Sequence, residues 1–177
     1  WWSGSENDVL PAGDKATGYK ALAFHAVNSD FPIFDDIQKF VVDRGKAAGA
    51  GDQIGTVLYN RGMYNAMLIT EAARTAQAIA GKSNISQADM IKGFEALEMT
   101  EEKMAALGLP GFGPSFSVSC ENHGGDGMVA VAQWDAGAGK WSIVSDFQAS
   151  DMSVIQPLID ADSGAFASEN NLSPNCN

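Results

Sequence analysis

Apolar positions along this chain come in blocks of different period. From Gly18, "GYKALAFHAV" places Tyr19, Leu22, Phe24 and Val27 in a mostly apolar run between the turn-rich stretches "AGDKATG" and "NSDFP". That pattern predicts a strand covered on both faces. "SDFPIFDDIQKFVVDRG" then switches to helical spacing: Ile33, Ile37, Phe40 and Val41 make a stripe, Ser29 or Asp30 caps it, and Gly45 ends it. After the loop "KAAGAGDQIG", the longest helical stretch runs from about Thr56 to Ala80. Apolar residues surround nearly its whole circumference, with Arg61, Glu71 and Arg74 the charges, so it is expected to be buried between other elements.

Two short helices follow. Ser86 and Asp89 form a capping box before "MIKGFEAL"; Thr100 caps "EEKMAALG", and Gly108 supplies the left-handed stop. "GLPGFGP" turns into "SFSVSC", which alternates as a strand does. "MVAVAQWD" and "KWSIVSDF" flank "AGAG" as a hairpin, and "MSVIQPLIDA" reads as a last helix that Pro157 kinks or starts late. At the start, "WWSGSENDV" has the look of a buried strand opening into a loop that carries Glu6, and loop carboxylates at strand ends meet ligands. So many helices with so few strands imply a sheet largely supplied upstream of Trp1, and the chain reads as a fragment that begins mid-domain.

Composition narrows the partners. Eleven Lys and Arg against 22 Asp and Glu leave a net charge of -11 over 177 residues. That charge repels phosphate backbones and anionic membrane faces, so nucleic acid is not an expected partner. No apolar run approaches the roughly 20 residues of a membrane-spanning helix, so no direct membrane insertion is expected.

Chemistry is sparse. No nucleophile elbow, phosphate loop or H-E-x-x-H occurs. "GGDGMVAV" reads as a turn before a strand and "DAGAGKW" as a hairpin turn, while Asp35, Asp36 and Asp43 read as a solvated helix face. Neither His25 nor His123 belongs to a ligand-spaced cluster, and two cysteines do not make a metal site. Neither catalysis, a metal nor a cofactor is expected. Cys120 and Cys176 are either a disulfide that pins the tail or two separate thiols.

The order of the segments, above all "YNRGMYNAMLITEA" and the ending "GPSFSVSCENHGGDGMVAVAQWDAGAGKW", resembles the C-terminal half of type I periplasmic solute-binding proteins, in particular the branched-chain amino acid (Leu/Ile/Val) receptors of ABC importers. The likeness runs from about Trp1 to Phe147 and rests on extended patterning. It implies an α/β fold of two doubly wound lobes joined by a hinge. Residues 1–27 would lie in the second lobe, 28–122 in the first and 123–177 back in the second, with crossovers near "HAVNS" and "ENHGG". It implies a periplasmic protein that closes on a branched-chain amino acid or similar small metabolite and hands it to an inner-membrane ABC permease. The alternative is a regulatory sensor of amides or amino acids on the same scaffold.

Under that resemblance Glu6 accepts the ligand's ammonium or is an exposed loop residue, and Tyr59 meets an aliphatic tail or packs in the core. Asn60 and Arg61 face the cleft from the first turn of the long helix. His25, at the exit of a strand, is a hinge or surface residue sooner than a ligand contact.

Overall fold

The computed structural model describes residues 4–49, 51–173 and 176. The expected strand at Trp1 and Trp2 lies outside them. The chain forms α1 (Glu6–Val9), a 3-10 segment (Leu10–Ala16), β1 (Lys20–Ala23) and α2 (Pro32–Ile37), which runs on as a π turn (Gln38–Val42). A short 3-10 turn (Gly51–Gln53) precedes α3 (Val57–Ala80), α4 (Gln87–Glu95), β2 (Glu98–Met99) and α5 (Glu101–Ala106). β3 (Phe116–Ser117), β4 (Ala130–Asp135), β5 (Lys140–Ile143) and α6 (Met152–Glu169) complete it.

Among the described residues the larger sheet has three strands in the order β1-β4-β5, and both pairings are antiparallel. Alternation in β4 sends Ala130, Ala132 and Trp134 inward, and Trp134 lies opposite Trp141 of β5 with ring centroids 5.6 Å apart. The turn between them joins Asp135 to Lys140, as the glycines of "AGAG" foretell. β2 and β3 form a separate two-stranded ribbon.

Two hydrophobic cores result. The first gathers Phe31 and Phe34 of the α2 region, Met67 of α3, and Leu97, Met99, Met104, Leu109 and Phe112; Phe31 stands edge-on to Phe112 at 5.0 Å. The second is built on the sheet from Val9, Ala23, Val27, Val57, Ala132, Trp134 and Trp141. Helix α3 reaches both, through Met67 and Val57 respectively.

Several expectations change. Among the described residues β1 lies at the edge of its sheet, and Leu22 within it and Tyr19 just before it are exposed. Phe31 rather than Ser29 or Asp30 caps α2, with Pro32 at its first position. The π turn adds a residue to the helical repeat, which swings Phe40 and Val41 off the stripe into solvent; Lys39 and Arg44 cover the Phe40 ring from 4.9 and 5.0 Å.

Along α3 only Val57, Asn60, Met67, Ala72 and Ala76 are buried, so it is not enclosed, and Leu58, Ile69 and Ile79 face outward. The strand expected over "SFSVSC" is cut to two residues, since Ser119 and Asn122 turn the backbone back through reciprocal bonds of 3.2 Å. Pro157 sits inside α6, which starts at Met152 under an Asp151 cap and has no buried residue. The caps at Ser86 and Thr100 form as expected, as does the stop at Gly108, with φ of 76°.

Candidate functional site

The site lies where the chain passes from one core to the other. After Ala23 the backbone leaves the sheet, and Phe24 to Asn28 run past the first turn of α3. Thr56 caps that helix, its hydroxyl oxygen accepting from the Tyr59 amide at 3.4 Å. Gly55 makes the approach possible: its φ is +89°, a conformation other residues rarely adopt, and it lies tight against the Ser29 backbone.

Asn60 is the centre of the joint. Its side chain is fully buried, and its Nδ2 donates to the carbonyls of Ala26 at 3.0 Å and Asn28 at 2.8 Å. A buried amide there satisfies two carbonyls of a segment that lies outside the strands. Asn60 Oδ1 is itself buried without a hydrogen-bond partner among the described residues.

His25 adds a second post. Only 1% exposed, it lies with Nδ1 2.8 Å from the Ala26 carbonyl, so a proton on Nδ1 donates to it. The ring stacks on Phe112 at 5.7 Å and meets Phe24 edge-on at 4.7 Å. Burial holds its pKa below the ordinary histidine value; the bond to Ala26 opposes this, and the charge of Arg61 reinforces it. The imidazole is therefore neutral at pH 7.

Glu6 begins α1, behind a capping box of Ser5 and Asp8, and so is not in a loop as expected. Its two carboxylate oxygens each accept from the Val57 amide at 3.2 Å, which sets a negative charge on the positive end of α3. The carboxylate borders a hollow of about 290 Å³ that also touches Asn28, Asp30, Thr56, Lys140 and Trp141.

The remaining sequence candidates diverge. Tyr59 turns from the hollow and packs on the first core, edge-on to Phe34 at 5.9 Å. Arg61 is half-buried, its guanidinium carbon 5.8 Å from the Phe24 ring centre. His25 is an interior residue and not a surface one. Thus Glu6, Asn60 and His25 meet at one joint, while Tyr59 belongs to the packing beside it. The participants missed in the sequence are mainly backbone: the carbonyls of Ala26 and Asn28 and the amide of Val57. Cys120 and Cys176 are joined as a disulfide.

Chemically this is a structural junction between the two hydrophobic cores at a helix end. A crystal structure of an ABC transporter permease from the Pseudomonas fluorescens group is similar to it, with 36% identity and a TM-score of 0.90 over 99% of this chain. The chain spans 42% of that protein's length. No family model matches the chain, and no curated protein does.

This overturns the resemblance to periplasmic solute-binding receptors and the receptor function drawn from it, because the similar protein is a permease. The link to ABC transport survives in coarser form, as likeness to a protein of such a system. Extended patterning misled here because strand and helix order is shared more widely than function. Among the described residues, no helix is long and apolar enough to cross a membrane.

Proposed function

We propose that this chain is part of a permease-like component of an ABC transporter, with the other subunits of that transporter as its partners. The observation carrying this reading is 36% identity at a TM-score of 0.90 along nearly the whole chain. The reading assigns it a part in transport and no catalytic step of its own.

Within that role the two cores act as bodies that change angle about the segment Phe24–Asn28, with Asn60, His25 and Glu6 holding one setting of the joint. Two α/β lobes with a hinge remain the proposed architecture, the rest of their sheets coming from chain outside these residues. Support comes from the separate cores, the edge position of β1 among the described residues and the exposed faces of α3 and α6. A periplasmic position is proposed with it, since a disulfide such as Cys120–Cys176 persists in oxidising compartments.

Affinity purification of the tagged full-length protein from its own membranes tests the reading. The ATP-binding subunit of a transporter should co-purify in constant ratio. Recovery of the protein with no such subunit, under mild detergent and after cross-linking alike, overturns it.

A further inference from the structure

Beside the Cys120–Cys176 link, groups far apart in sequence converge. Glu95 ends α4, Cys120 follows β3, and His123 lies three residues beyond Cys120 in the next turn. One ligand atom from each of Glu95, Cys120 and His123 lies within 4.8 Å of the others. His123 Nε2 is 3.3 Å from Glu95 Oε1, with the glutamate side chain 26% exposed and the imidazole 68% exposed. Ions in solution can therefore reach both. Glu95, Cys120 and Cys176 also border one groove of about 410 Å³, together with Lys92 and Glu121.

A tetrahedral zinc ion has bonds of about 2.0 to 2.3 Å and so holds its donors about 3.3 to 3.8 Å apart. His123 Nε2 and Glu95 Oε1 already stand at that spacing, and the Cys120 sulfur needs to close on them by no more than roughly one ångström. Cys120 and His123 have the short spacing by which zinc ligands are paired along a chain. A disulfide sulfur is a poor ligand, whereas a thiolate is a strong one.

We propose that reduction of the Cys120–Cys176 disulfide opens a zinc-type metal site formed by Cys120, Cys176, His123 and Glu95. A dithiol supplies two electrons and two protons, becoming a disulfide itself, and leaves two thiols. The incoming divalent ion then displaces both thiol protons to solvent as two metal–sulfur bonds form, with His123 Nε2 and a Glu95 oxygen completing four ligands. The ion, two thiolates and the Glu95 carboxylate sum to a single negative charge, which the nearby Lys92 offsets. Glu121 is held to one side by Ser119, whose hydroxyl donates to it at 3.1 Å. Metal occupancy thereby reports the redox state of this pair, and while bound the ion blocks its reoxidation.

Cobalt(II) titration of the full chain, with and without a phosphine reductant, reads this directly. The reduced protein should bind one equivalent, with a thiolate-to-cobalt band in the near ultraviolet and tetrahedral bands in the visible. The oxidised protein should show neither. Under reductant, His123→Ala and Glu95→Gln should each weaken binding at least tenfold, while their circular dichroism in the oxidised state matches the parent. Zinc should displace the cobalt. Absence of the bands in the reduced parent, or bands undiminished in either variant, overturns the proposal, because two thiols in a loosened chain would then account for any metal captured.

Discussion

Both carboxylate oxygens of Glu6 stand 3.2 Å from the amide nitrogen of Val57, so a residue at the start of the chain finishes the end of a helix 51 positions later. That contact ties α1 of the sheet-side core to α3, which serves both cores. Glu6→Gln keeps a hydrogen-bond acceptor and removes the charge at the helix end. It should lower stability by about 0.5 to 1 kcal/mol, measured by urea unfolding at low salt, and the difference should shrink as salt is added.

Asn60→Ala strips the carbonyl of Asn28 of its side-chain donor and leaves Ala26 with the His25 bond alone. A loss of about 1 to 3 kcal/mol is expected from the unsatisfied buried groups. Asn60→Asp should cost more, because it points a carboxylate at two carbonyl oxygens in a dry place. Chemical denaturation of the two variants side by side checks the order.

Acid should loosen the same joint. Burial lowers the folded-state pKa of His25, so below the ordinary histidine range, about 6.5, the unfolded chain takes up the proton more readily and stability falls as pH falls. Above that range both states are neutral and the effect disappears. His25→Phe should flatten this slope between about pH 7.5 and 5.5. Equal slopes in parent and variant would remove His25 as its source.

Two glycines in helices should respond with opposite sign. A Cβ at Gly93 would stand 2.7 Å from Ala76 Cβ, where α4 crosses α3, and Gly93→Ala should destabilise by about 1 to 3 kcal/mol through overpacking. Gly62, inside α3, meets nothing within 4 Å and is exposed. Gly62→Ala should stabilise by up to about 1 kcal/mol from helix propensity alone. Thermal melts separate the two.

Local signals in the sequence were readable where the governing physics is local. Ser86 with Asp89, Thr100, Gly108 and the "AGAG" hairpin act within a few residues, and each stands where its chemistry requires. The π turn after Ile37 was hidden, since one added residue leaves the composition untouched while rotating Phe40 outward.

Glu6, Asn60 and His25 could be singled out as residues, but their use depends on backbone groups of Ala26, Asn28 and Val57 that carry no side-chain signature. His123 shows no ligand-spaced cluster in the sequence, because Cys120 alone stands near it and Glu95 arrives only through the packing of α4. The function inferred from segment order fell to the permease likeness, as order encodes topology and not the chemistry of a site.

No residue of helix α6 is buried, yet the helix lies between the two cysteines of the Cys120–Cys176 link. A protease that cuts within it therefore opens a covalent ring without releasing a piece. The nicked protein should keep its full mass on a gel run without reductant and divide into two bands once reductant is added, so α6 can be severed and its severed end still held at the base of α4.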